Sequence, residues 1–244
     1  MLNGKEPNSR LIYNRLIKEM RNGRYSRLDK LPPEDVLAEE MQISRTQLRD
    51  SLSRLESRGY ISRRRGLGTL INRHVLALEI RADIEAEFRK IISGMGMTPG
   101  TDFTHSQEIF SDEALSHKLN IPLNSPVLRI DRLITADGAK VIYCEDYLPC
   151  QHIKRPGYDD EDLVQSIFDF LEQFCDQRVH MHITRMKPIA ADARLADLLE
   201  TETGTALMFL DEIAYNFDGM PLICSAEYYV PAIAEQTLLR RWSP

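Results

Sequence analysis

The chain has 244 residues, 43% hydrophobic and 28% charged, which excludes a fibrous or intrinsically disordered protein and leaves room for two separate cores. The formal net charge of −6 hides a split: residues 1–76 carry 16 Lys and Arg against 9 Asp and Glu, whereas the rest carry 15 against 28, so a basic binding module joined to an acidic one is predicted. No apolar run approaches the ~18 residues that span a bilayer, and the first residues are charged where a secretion signal is apolar, so a cytoplasmic protein without membrane contact is expected.

Leu11, Ile12, Leu16, Ile17 and Met20 recur at helical spacing and Gly23 supplies a stop, which predicts a first helix over 10–22. Leu31-Pro32-Pro33-Glu34 is a rigid entry to a short second helix ending at Met41. Ser44 is placed to cap a third helix, whose leucines Leu48, Leu52 and Leu55 form one stripe while Arg45, Thr46 and Arg49 project elsewhere. Gly59 ends it, and Tyr60–Arg65 followed by Gly66-Leu67-Gly68-Thr69 reads as a β-hairpin with a glycine tip. A short helix pair followed by a basic hairpin suits duplex DNA: the third helix enters the major groove and the hairpin reaches the flanking backbone. A phosphate-binding glycine loop is excluded, because the lysine of one such motif and the third glycine of the other are missing and no helix follows.

Residues 31–71 resemble the winged helix-turn-helix of GntR-family bacterial transcription regulators, with "LP-E--LA", "SR-T-LR--L--LE--G" and "G-GT" in order at family spacing. The resemblance implies DNA contacts from Ser44, Arg45, Thr46, Arg49, Arg65, Gly66, Gly68 and Thr69. One departure is Asp35, where the family usually has arginine.

Beyond the first domain (1–74), residues 75–95 read as a helical linker and 96–244 as an α+β domain with a mixed or antiparallel sheet. Helices are expected over 111–119, 161–174 and 190–200. Asp137-Gly138 and Asp218-Gly219 each mark a hairpin, and the endings "EDYLP" and "EYYVP" suggest a degenerate internal repeat. If Asp137-Gly138 is the turn, Arg132 falls opposite Tyr143 and Ile130 opposite Glu145, so Arg132 and Glu145 share an apolar face as diagonal neighbours. Either they neutralise each other as a structural pair or both point into a ligand pocket. In the second hairpin Glu212, Ser225, Glu227 and Tyr229 share a face, read either as a solvent surface or as a second polar cluster of a site.

This half resembles the UTRA effector-binding domain of the HutC subfamily, in "GMTPGTDF", the first Asp-Gly hairpin, "LVQSIFDFLEQ" and the final hairpin. The resemblance implies a chorismate lyase-like fold and a small-molecule effector pocket lined by the loop at Gly96–Thr98, Arg132 and Glu145, to which the hairpin faces add Tyr143, Glu227 and Tyr229. Ile134 stands where a second arginine is usual, which removes a cation that would help hold a phosphate. A repressor acting as a homodimer on a pseudo-palindromic double-stranded operator is the expected function. A lyase-like enzyme and a ligand-free dimerising scaffold are the alternatives. No nucleophile–base pairing or cofactor motif appears, His180 and His182 lack a third partner at a telling spacing, and the four cysteines form no C-x-x-C pair. No catalytic residue, cofactor or metal is therefore assigned.

Overall fold

The computed structural model describes residues 8–240 apart from 79, 80, 82, 85, 86, 165, 234 and 236. The chain forms two compact units, Met1–Asp83 with Thr237–Pro244, and Ile84–Gln236. The last described residues therefore group with the first unit and not, as the sequence suggests, with the second: Thr237 bridges to Arg81, and Leu239 lies against Gly59.

In the first unit α1 (Asn8–Asn22), α2 (Glu34–Met41) and α3 (Arg45–Ser57) pack around Leu16, Met20, Leu37, Leu48, Leu52 and Leu55, all almost fully buried. The predicted leucine stripe of α3 is thus its core face. The helix starts where a capping box closes: the Gln47 N–H donates to Ser44 Oγ at 3.2 Å and the Ser44 N–H donates to Gln47 Oε1 at 3.1 Å. It stops at Gly59, whose φ of +78° few side chains tolerate. Strands β1 (Ile61–Arg64) and β2 (Gly68–Ile71) form the wing. Residues 29–31 extend it, the Ile71 N–H donating to Asp29 O and the Leu31 N–H to Thr69 O. The expected linker helix is two short helices, α4 (Arg73–Leu76) and α5 (Phe88–Gly94), and its residues 79, 80, 82, 85 and 86 lie outside the described ones.

The second unit is an antiparallel sheet with helices on both faces. Its strands are β3 (Pro99–Phe110), β4 (Pro126–Ala136), β5 (Ala139–Pro149), β6 (Met181–Ala190), β7 (Ala206–Tyr215) and β8 (Pro221–Tyr229), with spatial order 3-4-5-8-7-6. Between them run α6 (Glu113–Leu119), α7 (Asp160–Val164), α8 (Ile167–Cys175) and α9 (Ala193–Leu198). The repeat extends beyond the two hairpins: β3-α6-β4-β5 is followed by β6-α9-β7-β8, and the halves meet where β5 pairs with β8. Both helices are opened by an aspartate cap, Asp112 accepting from the Leu115 N–H and Asp192 from the Leu195 N–H, each at 2.8 Å. Each packs on the other half's strands: Lys118 of α6 pairs with Asp211 of β7 at 2.6 Å, and Arg194 of α9 reaches Glu145 of β5 at 3.3 Å.

The first hairpin departs from its predicted register. Thr135↔Lys140 and Ala136↔Ala139 follow the Asp137-Gly138 turn, but a bulge then shifts the pairing to Ile134↔Ile142 and Arg132↔Cys144. One extra residue on β5 moves every later side chain to the opposite face. Arg132 therefore shares its face with Asp146, while Tyr143 and Glu145 point to the other side. The second hairpin keeps the expected pairing of Glu212 with Ser225.

Candidate functional sites

The first site is the exposed edge of α3 and the wing. Arg45 and Thr46 are exposed in the first turn of α3. Arg49, one turn on, is held by Glu34 of α2 at 2.7 Å, which raises its pKa further above the ordinary guanidinium range. Ser44 has a structural duty as the cap. The three consecutive wing arginines differ: Arg63 is braced against α3, its Nε 2.7 Å from Glu56 Oε2 and its Nη2 3.0 Å from Ser53 Oγ, while Arg64 and Arg65 are exposed. Gly66 and Gly68 take φ of +81° and +85° at the tip, and Thr69 spends its carbonyl on Leu31. Lys30, Arg64 and Arg65 border a concavity between the wing and the Pro32-Pro33 entry to α2. Lys30 is a basic group the sequence reading missed; its place follows only from the bridge to Leu70. Asp35 is exposed in the first turn of α2, where the helix dipole favours an acid.

The second site is a cleft on the Arg132 face of the sheet, walled by Phe88 of α5 and Phe168 of α8. It encloses a cavity of about 50 Å³, and about 620 Å³ of non-atom space when counted out through its mouth into open solvent. Among the described residues, four buried ionisable groups line it: Arg132, Asp146, Glu212 and Glu227. Arg132 Nη2 donates to Asp146 Oδ2 at 2.5 Å, and the Asp146 charge outweighs the burial that opposes protonation of the guanidinium, so its pKa rises. Ser225 Oγ donates to the other Asp146 oxygen at 2.5 Å. Glu212 accepts from Thr184 Oγ1 at 2.5 Å and lies 3.6 Å from His182 Nδ1. Glu227 accepts from the Tyr229 hydroxyl at 2.6 Å; burial and then Glu227 push that phenol well above its usual pKa.

Of the effector residues expected from sequence, Arg132 and Glu227 line this cleft and Tyr229 supports Glu227 from beneath. Thr98 does not line it: its N–H donates to Asp137 Oδ1 at 2.8 Å and clasps the hairpin turn. Tyr143 and Glu145 are corrected to the opposite face. There Glu145 accepts from Arg129 Nη2 at 2.8 Å and from Arg194 Nη1 at 3.3 Å, and Tyr143 stacks on Tyr228 with ring centroids 6.0 Å apart. Burial and then Glu145 push both phenols up to about 12. Asp146 and His182, which sequence reasoning missed as site residues, become visible only once the bulge is known or α8 is placed over β6.

Fold and sites together define a class: a winged helix-turn-helix regulator with a separate ligand-binding domain. The profile of the UTRA domain matches residues 94–233, and that of the bacterial regulatory proteins of the gntR family matches residues 8–71. The chain is 25% identical over 209 residues to the HTH-type transcriptional repressor NagR of Bacillus subtilis, covering 85% of this chain and 84% of the relative. It is 26% identical over 212 residues to the repressor PhnF of Mycolicibacterium smegmatis, covering 86% and 81%. In fold it resembles the crystal structure of the possible regulator YydK from B. subtilis, with TM-score 0.78 at 17% identity over 96% of this chain and 100% of that one. The chain belongs to the gntR family of bacterial regulatory proteins, in the branch that carries a UTRA domain; it is a DNA-binding, effector-controlled transcription regulator, not an enzyme.

Proposed function

We propose that this protein is a cytoplasmic repressor that binds a pseudo-palindromic operator as a homodimer and is controlled by a metabolite in the Arg132 cleft. The observation that carries the DNA half is the exposed cluster of Arg45, Thr46 and Arg49 at the start of α3 beside a wing tip bearing Arg64 and Arg65. Arginine at the head of a groove-entering helix pairs bidentately with guanine, and arginine on a wing grips phosphate. Ser44, Gly66, Gly68 and Thr69 shape these two elements and bring backbone close to the duplex. Glu34 positions Arg49. The dimer is supported by the edge strand β6, whose Met181, Ile183 and Met186 are 47%, 48% and 44% exposed. An uncovered apolar edge of this kind is a pairing surface for a second copy. The metabolite shifts DNA affinity by its differential affinity for the free and DNA-bound dimers.

Fluorescence anisotropy with the DNA upstream of the protein's own gene tests this. Arg45→Ala and Arg49→Ala are expected to cost ~1–3 kcal/mol on the operator and much less on random duplex, and Arg65→Ala to weaken both alike and reduce the salt slope by ~1. Failure of the full chain to bind any duplex in dilute salt would overturn the reading.

A further inference from the structure

We propose that Arg81 is a positioning residue for DNA binding: clamped by Asp83 and by residues 237–239 at the end of the chain, it fixes the last turn of α3 and so sets how the head of that helix meets the duplex. This rests on the reading of α3 as the groove helix and adds to it two groups far from the winged domain in sequence.

A helix ends in carbonyls that its own turns leave unpaired, and the negative end of its dipole favours a cation. At the end of α3 the carbonyl of the capping residue Arg58 accepts from Arg81 Nη1 at 2.7 Å. Arg81 is 6% exposed and its guanidinium lies over the Tyr60 ring, 5.0 Å from the centroid. Asp83 matches the charge through two bonds, Arg81 Nε to Oδ1 at 3.0 Å and Nη2 to Oδ2 at 2.5 Å. That fork fixes the plane of the guanidinium and leaves Nη1 aimed at the helix end.

The tail of the chain closes the clamp. Thr237 pairs with Arg81 in a parallel bridge, and the Leu239 N–H donates to Asp83 Oδ1 at 3.5 Å. The Leu239 side chain fills the notch at Gly59, the residue that stops α3: a Cβ there would stand 2.5 Å from Leu239 Cδ2. Leu238 beside it is 59% exposed, so Leu239 is the side chain that docks. Charge, backbone and packing thus converge on one end of α3, while Arg45, Thr46 and Arg49 stand toward the other. A helix of 13 residues is ~20 Å long, so a tilt of ~5° about its base moves its head by ~2 Å. A displacement of that size breaks a bidentate contact to a base edge, whereas phosphate contacts from exposed, long side chains adjust to it.

The test compares the full-length chain with Arg81→Met, Leu239→Ser, the double variant and the control Leu238→Ser. Affinity is measured by fluorescence anisotropy over a salt series, on the duplex the unsubstituted chain selects from a random pool and on random duplex. Circular dichroism sets a temperature at which each variant is folded, and Leu239→Ser carries the test should Arg81→Met not fold. Arg81→Met and Leu239→Ser are each expected to lower the preference for the selected duplex about tenfold, as much as one mismatched base pair costs. Random-duplex affinity and the salt slope stay unchanged, Leu238→Ser is silent, and the double variant is no worse than Arg81→Met, since both substitutions open the same clamp. Equal weakening on both duplexes would make the clamp a matter of stability alone and overturn the proposal, as would an undiminished preference in Leu239→Ser or fully additive losses in the double variant. An unsubstituted chain that selects no duplex overturns the groove-helix reading itself, and this proposal with it.

Discussion

The pair Arg132–Asp146 gives the sharpest energetic test of how the cleft is built. The two side chains lie 2.5 Å apart, and the residues are 4% and 2% exposed. At an effective dielectric near 20, unit charges about 4 Å apart attract by on the order of 4 kcal/mol, which roughly offsets the cost of taking both from water. Arg132→Met removes the attraction and leaves the Asp146 desolvation uncompensated, so the expected loss is about 3–5 kcal/mol. For a domain of this size that lowers the melting temperature by about 6–20 °C. Removing both charges, as Arg132→Met with Asp146→Leu, is expected to restore most of the loss, because no isolated buried charge remains. Differential scanning calorimetry of the two single variants and the double variant measures the coupling. A double variant melting below both single variants would refute the reasoning, since it would show the side chains acting through packing and not through charge.

Further outcomes follow from other parts of the molecule. Ser44→Ala removes the cap of α3 and is expected to destabilise the winged unit by ~1 kcal/mol in urea titration; Ser44→Asp keeps the cap and the stability but places an acid at the proposed DNA face, so operator affinity falls. Burial holds the His152 pKa below its usual value, so its neutral form contributes stability that is present above the unfolded-state pKa of about 6.5 and is lost as the pH falls through the lower folded value. His152→Phe is expected to flatten that acid-side loss in melting curves. Ile183→Lys puts a charge on the exposed edge of β6 and is expected to shift the protein from dimer toward monomer in sedimentation velocity, with loss of operator affinity; an unchanged dimer would place the interface elsewhere.

Much of the winged unit is legible in the chain because its determinants are local. The stripe of Leu48, Leu52 and Leu55, the cap at Ser44 and the glycine at 59 each act within a few residues, and the helix stands where they place it. The division of labour among Arg63, Arg64 and Arg65 was not legible, because it depends on Glu56 and Ser53 lying beneath one of them.

The sequence by itself determined the two-unit order, the third helix and the wing, the two Asp-Gly hairpins and their repeat, all of which depend on short-range periodicity and turn chemistry. Only the tertiary structure decided which charges meet in the cleft. A single bulged residue on β5, Val141, set against the step from Thr135 to Ile134 on β4, turns the far half of β5 over, carrying Asp146 to Arg132 and Glu145 away from it. A period of two makes every contact beyond the bulge hostage to that one insertion, and whether it forms depends on how β5 packs against β8, which no short stretch of the chain encodes.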